Sequence, residues 1–281
     1  MNKDVILDRL RQKAAQGIPI IGAGAGTGVS ARAEAAAGAD LIIVYATGQF
    51  RMAGRSSMAG RFASGSANGS VLRLVDEVQP VAGGTPLLAG VFVQDPFCDI
   101  DALLGQLEAA GCCGVQNIPG MGGQAAMEGE WTVSVLEALD LGFSLEAEFV
   151  RRASRRGLLT TPYCSRPEHI EEMALAGADI FVLHMGLTGR AEDATMAVTP
   201  LEQCAETVSR LAETARKLKP DAILLAHGGP IVEPADLAWL MARCPALNGF
   251  YGASSFERVP VEAGLRSAVR QFKQLSLKRK E

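Results

Sequence analysis

Lysine is missing from the middle of this chain: none stands between Lys13 and Lys217. A Schiff-base enzyme, or one that uses an amine beside an enolate, needs lysine at its reacting centre. Lys217 and Lys219 fall at the end of a predicted helix on the face away from the site, so that chemistry is excluded. Histidine is scarce too, with three copies. The six cysteines, Cys98, Cys112, Cys113, Cys164, Cys204 and Cys244, include no Cys-x-x-Cys pair and no zinc spacing, which predicts reduced, mostly buried thiols. No run approaches the roughly 20 apolar residues of a membrane span. The charged start, Asn2-Lys3-Asp4 through Arg9-Leu10-Arg11, lacks the apolar core of a signal peptide. A cytoplasmic protein with no membrane partner is expected. A net charge of −4 argues against a nucleic-acid partner, and the basic tail Lys278-Arg279-Lys280 reads as a solvated end.

What the chain does have is a regular alternation. Short apolar runs occur at Pro19 to Ala23, Leu41 to Ala46, Leu87 to Val93, Val115 to Ile118, Leu158 to Tyr163, Ile180 to His184, Ile223 to Ala226 and Gly249 to Tyr251. They are almost continuously apolar, as parallel strands covered on both faces must be. A helical pattern follows each. Thr199-Pro200-Leu201-Glu202 and Ser165-Arg166-Pro167-Glu168 read as helix starts with Thr199 and Ser165 as caps. Leu201, Cys204, Ala205, Val208, Leu211, Ala212, Ala215 and Leu218 then line one helical face. Ala37-Gly38-Ala39-Asp40 and Ala176-Gly177-Ala178-Asp179 offer glycine for the left-handed residue that ends a helix. Eight such units predict a single α/β domain over residues 1–281, a (β/α)8 TIM barrel. Residues 1–17 form an amino-terminal helix, 18–275 the barrel and 276–281 a tail. At 281 residues the chain slightly exceeds the roughly 250 typical of this fold.

The surplus sits on one side. Thr47 to Ser70, Pro119 to Glu130 and Gly186 to Thr199 run from a strand into the next helix, whereas most returns are short. Barrels work at this face, where strands end. The first strand runs into Gly22-Ala23-Gly24-Ala25-Gly26-Thr27-Gly28, ahead of a helix expected near Ser30. A dinucleotide fingerprint fails on spacing, because Thr27 stands where its third glycine belongs. Substrate contact by Gly24 and Gly26, or a purely structural tight turn, both stay open. Strands seven and eight end in Ala226-His227-Gly228-Gly229-Pro230 and Tyr251-Gly252-Ala253-Ser254-Ser255. Gly228, Gly229, Gly252, Ser254 and Ser255 are candidates to hold a phosphate or small anion, against simple close packing at the rim. Arg51, Arg55 and Arg61, in the loop after strand two, suit an anionic ligand or are solvated loop charges. His184 and His227 close two strands and are candidates for proton transfer; His169 is expected at the surface. Asp95 is a candidate cation ligand or base, against a cap of the following turn. Glu146 and Glu148 are further carboxylates. Gln94, Asn117, Tyr163 and Cys164 complete the ring of strand ends.

The segments Ile21 to Gly28, Tyr45 to Arg51, Gly90 to Phe97, Val115 to Pro119, His227 to Pro230 and Gly252 to Ser255 together resemble the phosphoenolpyruvate hydrolase-like family, over nearly the whole chain. Its members are TIM barrels, also called signal-transduction barrels, and include bacterial proteins described as phosphonopyruvate hydrolases. The resemblance implies kinship with the phosphoenolpyruvate/pyruvate barrels, whose chemistry uses Mg²⁺, stabilises a pyruvate enolate and often works in homo-oligomers. The Lys-x-Cys-Gly-His gate of well-characterised relatives does not occur here, and Cys112-Cys113-Gly114 begins a strand. The leading expectation is therefore a Mg²⁺-assisted hydrolase or lyase acting on a small anionic phosphonate, phosphate or carboxylate. Asp95 would anchor the cation, His184 or His227 would move a proton, and the carboxyl-terminal glycines and serines would hold the anion. A ligand-sensing barrel without turnover and a metal-free sugar-phosphate isomerase are the alternatives.

Overall fold

The computed structural model describes residues 1–61, 65–118, 120, 121, 129–189 and 199–276, without the side chains of Met58, Arg61 and Glu130. Most of the predicted loops 119–130 and 186–199 and the tail 278–280 therefore lie outside the described residues. Nine parallel strands are described: β1 (Ile20–Ala25), β2 (Leu41–Val44), β3 (Leu87–Val91), β4 (Gly114–Asn117), β5 (Leu159–Thr160), β6 (Tyr163–Cys164), β7 (Ile180–His184), β8 (Ile223–His227) and β9 (Gly249–Gly252). Hydrogen bonding runs from β5 through β4, β3 and β2 to β1, then through β9, β8 and β7 to β6.

β5 and β6 are two halves of the expected fifth strand. Thr161 N donates to Val115 O at 3.1 Å on one side, and Val182 N donates to Pro162 O at 3.0 Å on the other. Pro162 has no N–H to give, so it interrupts the ladder without opening the ring. The sheet closes as a (β/α)8 barrel of eight strands, the fifth broken at its proline.

Eleven helices are described: α1 (Lys3–Ala15), α2 (Gly28–Ala36), α3 (Ala46–Met52), α4 (Ala67–Val78), α5 (Ile100–Ala109), α6 (Glu130–Ala138), α7 (Phe143–Arg155), α8 (Pro167–Ala176), α9 (Leu201–Leu218), α10 (Pro234–Arg243) and α11 (Arg258–Lys273). Two starts differ from expectation. Arg166 and Pro200, not Ser165 and Thr199, flank α8 and α9. The residue before a proline is pushed towards extended backbone, which holds Arg166 out of the helix, and Ser165 turns its hydroxyl to His169 instead. Gly38 and Gly177 take the predicted left-handed conformation, with φ of 92° and 89°. The stretch after β2, read as open loop, begins as α3 and continues through a 3₁₀ turn at Ser57–Arg61.

Two shells of apolar side chains build the core. Ile43, Leu88, Val182 and Leu225 point into the lumen; Val44, Ala89, Phe181, Leu183 and Leu224 face outward under the helices. α1 closes the bottom. Its Ile6, Leu7 and Leu10 join the lumen cluster, and Lys3 pairs with Asp179, Lys13 with Asp40 and Arg11 with Asp221, all near strand starts. α11 has no buried residue, and its Leu265, Val269 and Phe272 are exposed. Among the described residues no helix is long and apolar enough to cross a membrane.

Candidate active site at the barrel mouth

The glycine-rich turn after β1 makes room. A Cβ at Gly22 would lie 2.4 Å from the Tyr251 ring, at Gly24 2.2 Å from the Tyr45 hydroxyl, and at Gly26 2.4 Å from the carbonyl oxygen of Gly48. Two lumen tyrosines and a neighbouring backbone thus occupy the space that side chains would need. Gly26 N already donates to Glu257 Oε1 at 2.6 Å. Of the two readings open for Gly24 and Gly26, close packing is the one this geometry favours, and Thr27 serves as the cap of α2.

Three rings meet where the strands end on the far side. Centroids of Tyr163 and His184 are 4.7 Å apart, those of Tyr163 and His227 4.9 Å, and those of the two histidines 4.9 Å. Register brings the histidines together, since β7 and β8 pair at His184 and His227. Their hydrogen bonds select opposite tautomers. His184 Nδ1 accepts from Gly186 N at 3.1 Å, which leaves the proton of a neutral ring on Nε2. His227 Nδ1 donates to the Tyr251 carbonyl, so its Nε2 carries a lone pair, 3.4 Å from the Tyr163 hydroxyl. Desolvation, reinforced by His227, pushes His184 down to about 3. Desolvation likewise pushes His227 down to about 4, opposed by its bond to Tyr251 and assisted by the Arg51 cation. Near neutral pH the pair presents one N–H donor and one acceptor, uncharged.

Arg51 is not a free loop cation. It is 3% exposed, and its Nε donates to Glu257 Oε2 at 2.7 Å, with Nη2 reaching the same oxygen and Gly24 O. Glu257, fully buried, was not legible as a partner because 206 residues separate it from Arg51. Glu34 adds a second carboxyl, its oxygens buried without hydrogen bonds. Desolvation and the Glu257 charge push Glu34 up to about 7, with Arg51 opposing. Arg55 is exposed, and the Arg61 side chain lies outside the described set.

Glu146 organises the opposite rim. Only 1% exposed, it accepts from Gln94 Nε2 at 3.0 Å, Asn117 Nδ2 at 2.6 Å and Met121 N at 2.9 Å. Burial pushes its carboxyl up to about 7 against these three donors. Asn117 also accepts from Tyr163 N at 2.8 Å, which links the rim to the aromatic cluster. Glu148 instead faces outward and pairs with Arg151 and Arg152. His169, expected at the surface, stacks on Phe143 at 3.9 Å because α7 and α8 pack together. Cys164 is buried.

Asp95 caps its own turn: Oδ1 accepts from Phe97 N at 3.0 Å, and Oδ2 lies 3.4 Å from Asn68 Nδ2. Asn68, which no sequence signal marked, also clamps both backbone polar groups of Phe92. Here a cavity of about 1080 Å³ opens, lined by Thr47, Asn68, Phe92, Gln94, Asp95 and Cys98 among others. The expected ring of polar residues is thus divided: Gln94 and Asp95 line this cavity, whereas Tyr163, His184 and His227 form their own cluster.

At the remaining strand ends, Gly228 and Gly229 have positive φ and fit tightly against Gly186 and Met185, and Gly229 N donates to Gly186 O at 3.1 Å. Gly252 lies against the Phe250 and Phe256 rings. Ser254 is partly buried, and Ser255 keeps a buried hydroxyl with no hydrogen-bond partner.

These residues do not make the donor set of a protein-held Mg²⁺. Among the described residues no three carboxylate, imidazole or thiol groups converge. A cation at Glu146 would have to displace three N–H donors, and Asp95 gives one oxygen to its own turn.

The model of the phosphoenolpyruvate hydrolase-like family matches residues 5–275. The chain belongs to that family. Two Solanum lycopersicum proteins, ToMV susceptible protein tm-1(GCR26) and ToMV resistance protein Tm-1(GCR237), are 46% and 45% identical over 273 and 275 residues. Those alignments cover 97% and 98% of this chain and 36% of each tomato protein, so the chain spans about a third of their length. Among solved structures, phosphonopyruvate hydrolase in complex with oxalate and Mg²⁺ superposes with a TM-score of 0.60, covering 95% of this chain and 87% of that one. At 14% identity this likeness concerns the fold.

Proposed function

We propose that the barrel mouth binds and cleaves a small anionic acid of the pyruvate type, the family member acting as a hydrolase or lyase. The observation that carries this reading is the His184–His227–Tyr163 triangle, whose histidines are held in opposite neutral tautomers at the ends of β7 and β8. In it His184 Nε2–H points a donor at an oxygen that gains negative charge, and a neutral imidazole strengthens that bond without transferring its own proton. His227 Nε2 accepts a hydrogen bond, from the ligand or from the Tyr163 hydroxyl. Its low basicity makes it a weak base, and Glu146, raised to about 7, is better matched to proton transfer near neutral pH. Gln94 and Asn117, oriented by Glu146, position the ligand. No step is assigned to Mg²⁺, for which the described donors form no all-protein cage.

The test is a thermal-shift titration of metal-stripped protein with oxalate, phosphonopyruvate, phosphoenolpyruvate and phosphate, each with and without Mg²⁺, followed by a pyruvate-release assay. Stabilisation by a pyruvate-type acid, turnover of phosphonopyruvate or phosphoenolpyruvate, and a loss of about 100-fold or more in kcat/KM for His227→Asn support the reading. Ligand stabilisation without turnover of any acid sinks the cleavage step. A sensing barrel then takes its place, a role favoured by the prior commitment of Asp95 and Glu146 to their own hydrogen bonds.

A further inference from the structure

The cavity beside Asp95 is far larger than a pyruvate-type acid needs. At about 1080 Å³ it stands at the upper end of the roughly 300–1,000 Å³ that takes drug-sized ligands, and pyruvate would fill a small corner of it. Its walls are mainly apolar. Val71, Leu72, Phe92, Leu103, Ile118 and Leu136 line it, drawn from α4, the end of β3, α5, the end of β4 and α6. Its described lining residues include two carboxylates, Asp95 and Asp99, and no lysine, arginine or histidine. Asp99 already gives Oδ1 to the first turn of α5, as Asp95 does to its own turn. A carboxylate or phosphate placed here would find no cation, whereas an uncharged apolar group loses nothing by entering. The rim agrees, since Phe97 lines it and is 97% exposed. Asn68 sets the wall in advance by clamping Phe92. The cavity is also joined to the acid site. Gln94 lines it while donating to Glu146, and Met121 lines it while its N–H reaches the same carboxyl group.

We propose that the acid taken at this mouth carries an apolar substituent of several carbons, which lies in the cavity while Gln94 and Asn117 position the acid end, an inference that rests on the mouth being a site for pyruvate-type acids and names the class of acid. Calorimetry on the full chain compares pyruvate, 2-oxobutyrate, 2-oxopentanoate and 2-oxohexanoate, with hexanoate as the acid that lacks the 2-oxo group. Affinity is expected to rise about fourfold per added methylene, hence about 60-fold from pyruvate to 2-oxohexanoate. Hexanoate should bind at least about tenfold more weakly than 2-oxohexanoate. Leu72 is a partly buried wall residue, and Leu72→Asn should cut the rise along the series to below about tenfold. Cys98 gives a readout that needs no substitution, because it lines the cavity and is the one cysteine of the six that is not buried. At about ten times its dissociation constant 2-oxohexanoate should slow alkylation of Cys98 by iodoacetamide about tenfold, since only unoccupied protein reacts, whereas pyruvate at equal occupancy should leave the rate within about twofold. Binding of pyruvate with no gain along the series, equal binding of hexanoate, or a Cys98 that 2-oxohexanoate does not protect overturns the assignment of the cavity and leaves the mouth reading standing. Failure of every 2-oxo acid to bind brings down the mouth reading itself, and the substituent with it.

Discussion

Replacing Arg51 by methionine removes the cation from a site where Glu257 is fully buried. Methionine keeps much of the side-chain volume, so the loss is electrostatic. Breaking one partner of a buried pair costs about 3–5 kcal/mol, because the surviving charge is left without compensation. Glu34 enlarges the effect, since Arg51 is the cation that opposes the mutual repulsion of the two carboxyls. For a chain of this size, at roughly 2–4 °C per kcal/mol, the melting temperature should fall by about 10 °C. The deficit should depend on pH with a definite sign. Without Arg51, which opposes the upward shift of Glu34, that carboxyl is held still further above its unfolded value, so its contribution is fully present below about pH 4.5 and lost as pH rises through the folded value. Urea unfolding at pH 5 and pH 7.5 should therefore show the smaller loss at pH 5. Adding Glu257→Gln to Arg51→Met removes the stranded charge yet keeps an acceptor for Gly26 N–H, and should restore about half of the lost stability. A cost below about 1 kcal/mol, or one indifferent to pH, would show Arg51 to be a solvated loop charge and refute the argument.

The other expectations concern packing and titration. Gly24→Ala drives a methyl group into the Tyr45 hydroxyl and should cost about 1–3 kcal/mol, whereas Gly28→Ala, with 3.4 Å to its nearest neighbour, should be close to neutral; equal costs in urea would disprove the packing role of the turn. Stability of the unsubstituted protein should fall on both sides of an optimum. His184 and His227, depressed to about 3 and 4, contribute stability that is present above pH 6.5 and lost as pH falls through those values. Glu34 and Glu146, raised to about 7, contribute stability that is full below about pH 4.5 and lost as pH rises through 7. A flat maximum between about pH 4.5 and 6.5 follows, measurable by melting temperature across a buffer series. Glu34→Gln, which removes a carboxyl with no hydrogen bond, should reduce the alkaline loss and leave the acid limb unchanged; an unaltered alkaline limb would remove Glu34 from this account.

The barrel was legible in the sequence because its causes are local. Fully buried strands such as Leu41–Val44 must be apolar throughout, and Gly38 and Gly177 sit where a helix ends in left-handed backbone. His184 and His227 could be placed at strand ends for the same reason. What the local pattern could not reach was the identity of partners. Arg51 finds Glu257 across 206 residues, and Glu146 gathers Gln94, Asn117 and Met121 from three segments. The first meeting depends on ring closure, since only a closed barrel brings the end of β9 beside β1, and the second on β3, β4 and α7 packing side by side. Only the tertiary structure decided which of two chemically reasonable roles a residue takes. Glycine after β1 permits either anion contact or close packing, and the position of Tyr45 and Tyr251 favours packing. Composition and periodicity set which side chains can be buried; the protonation states of the histidines and of Glu34 and Glu146 follow from what they are buried beside.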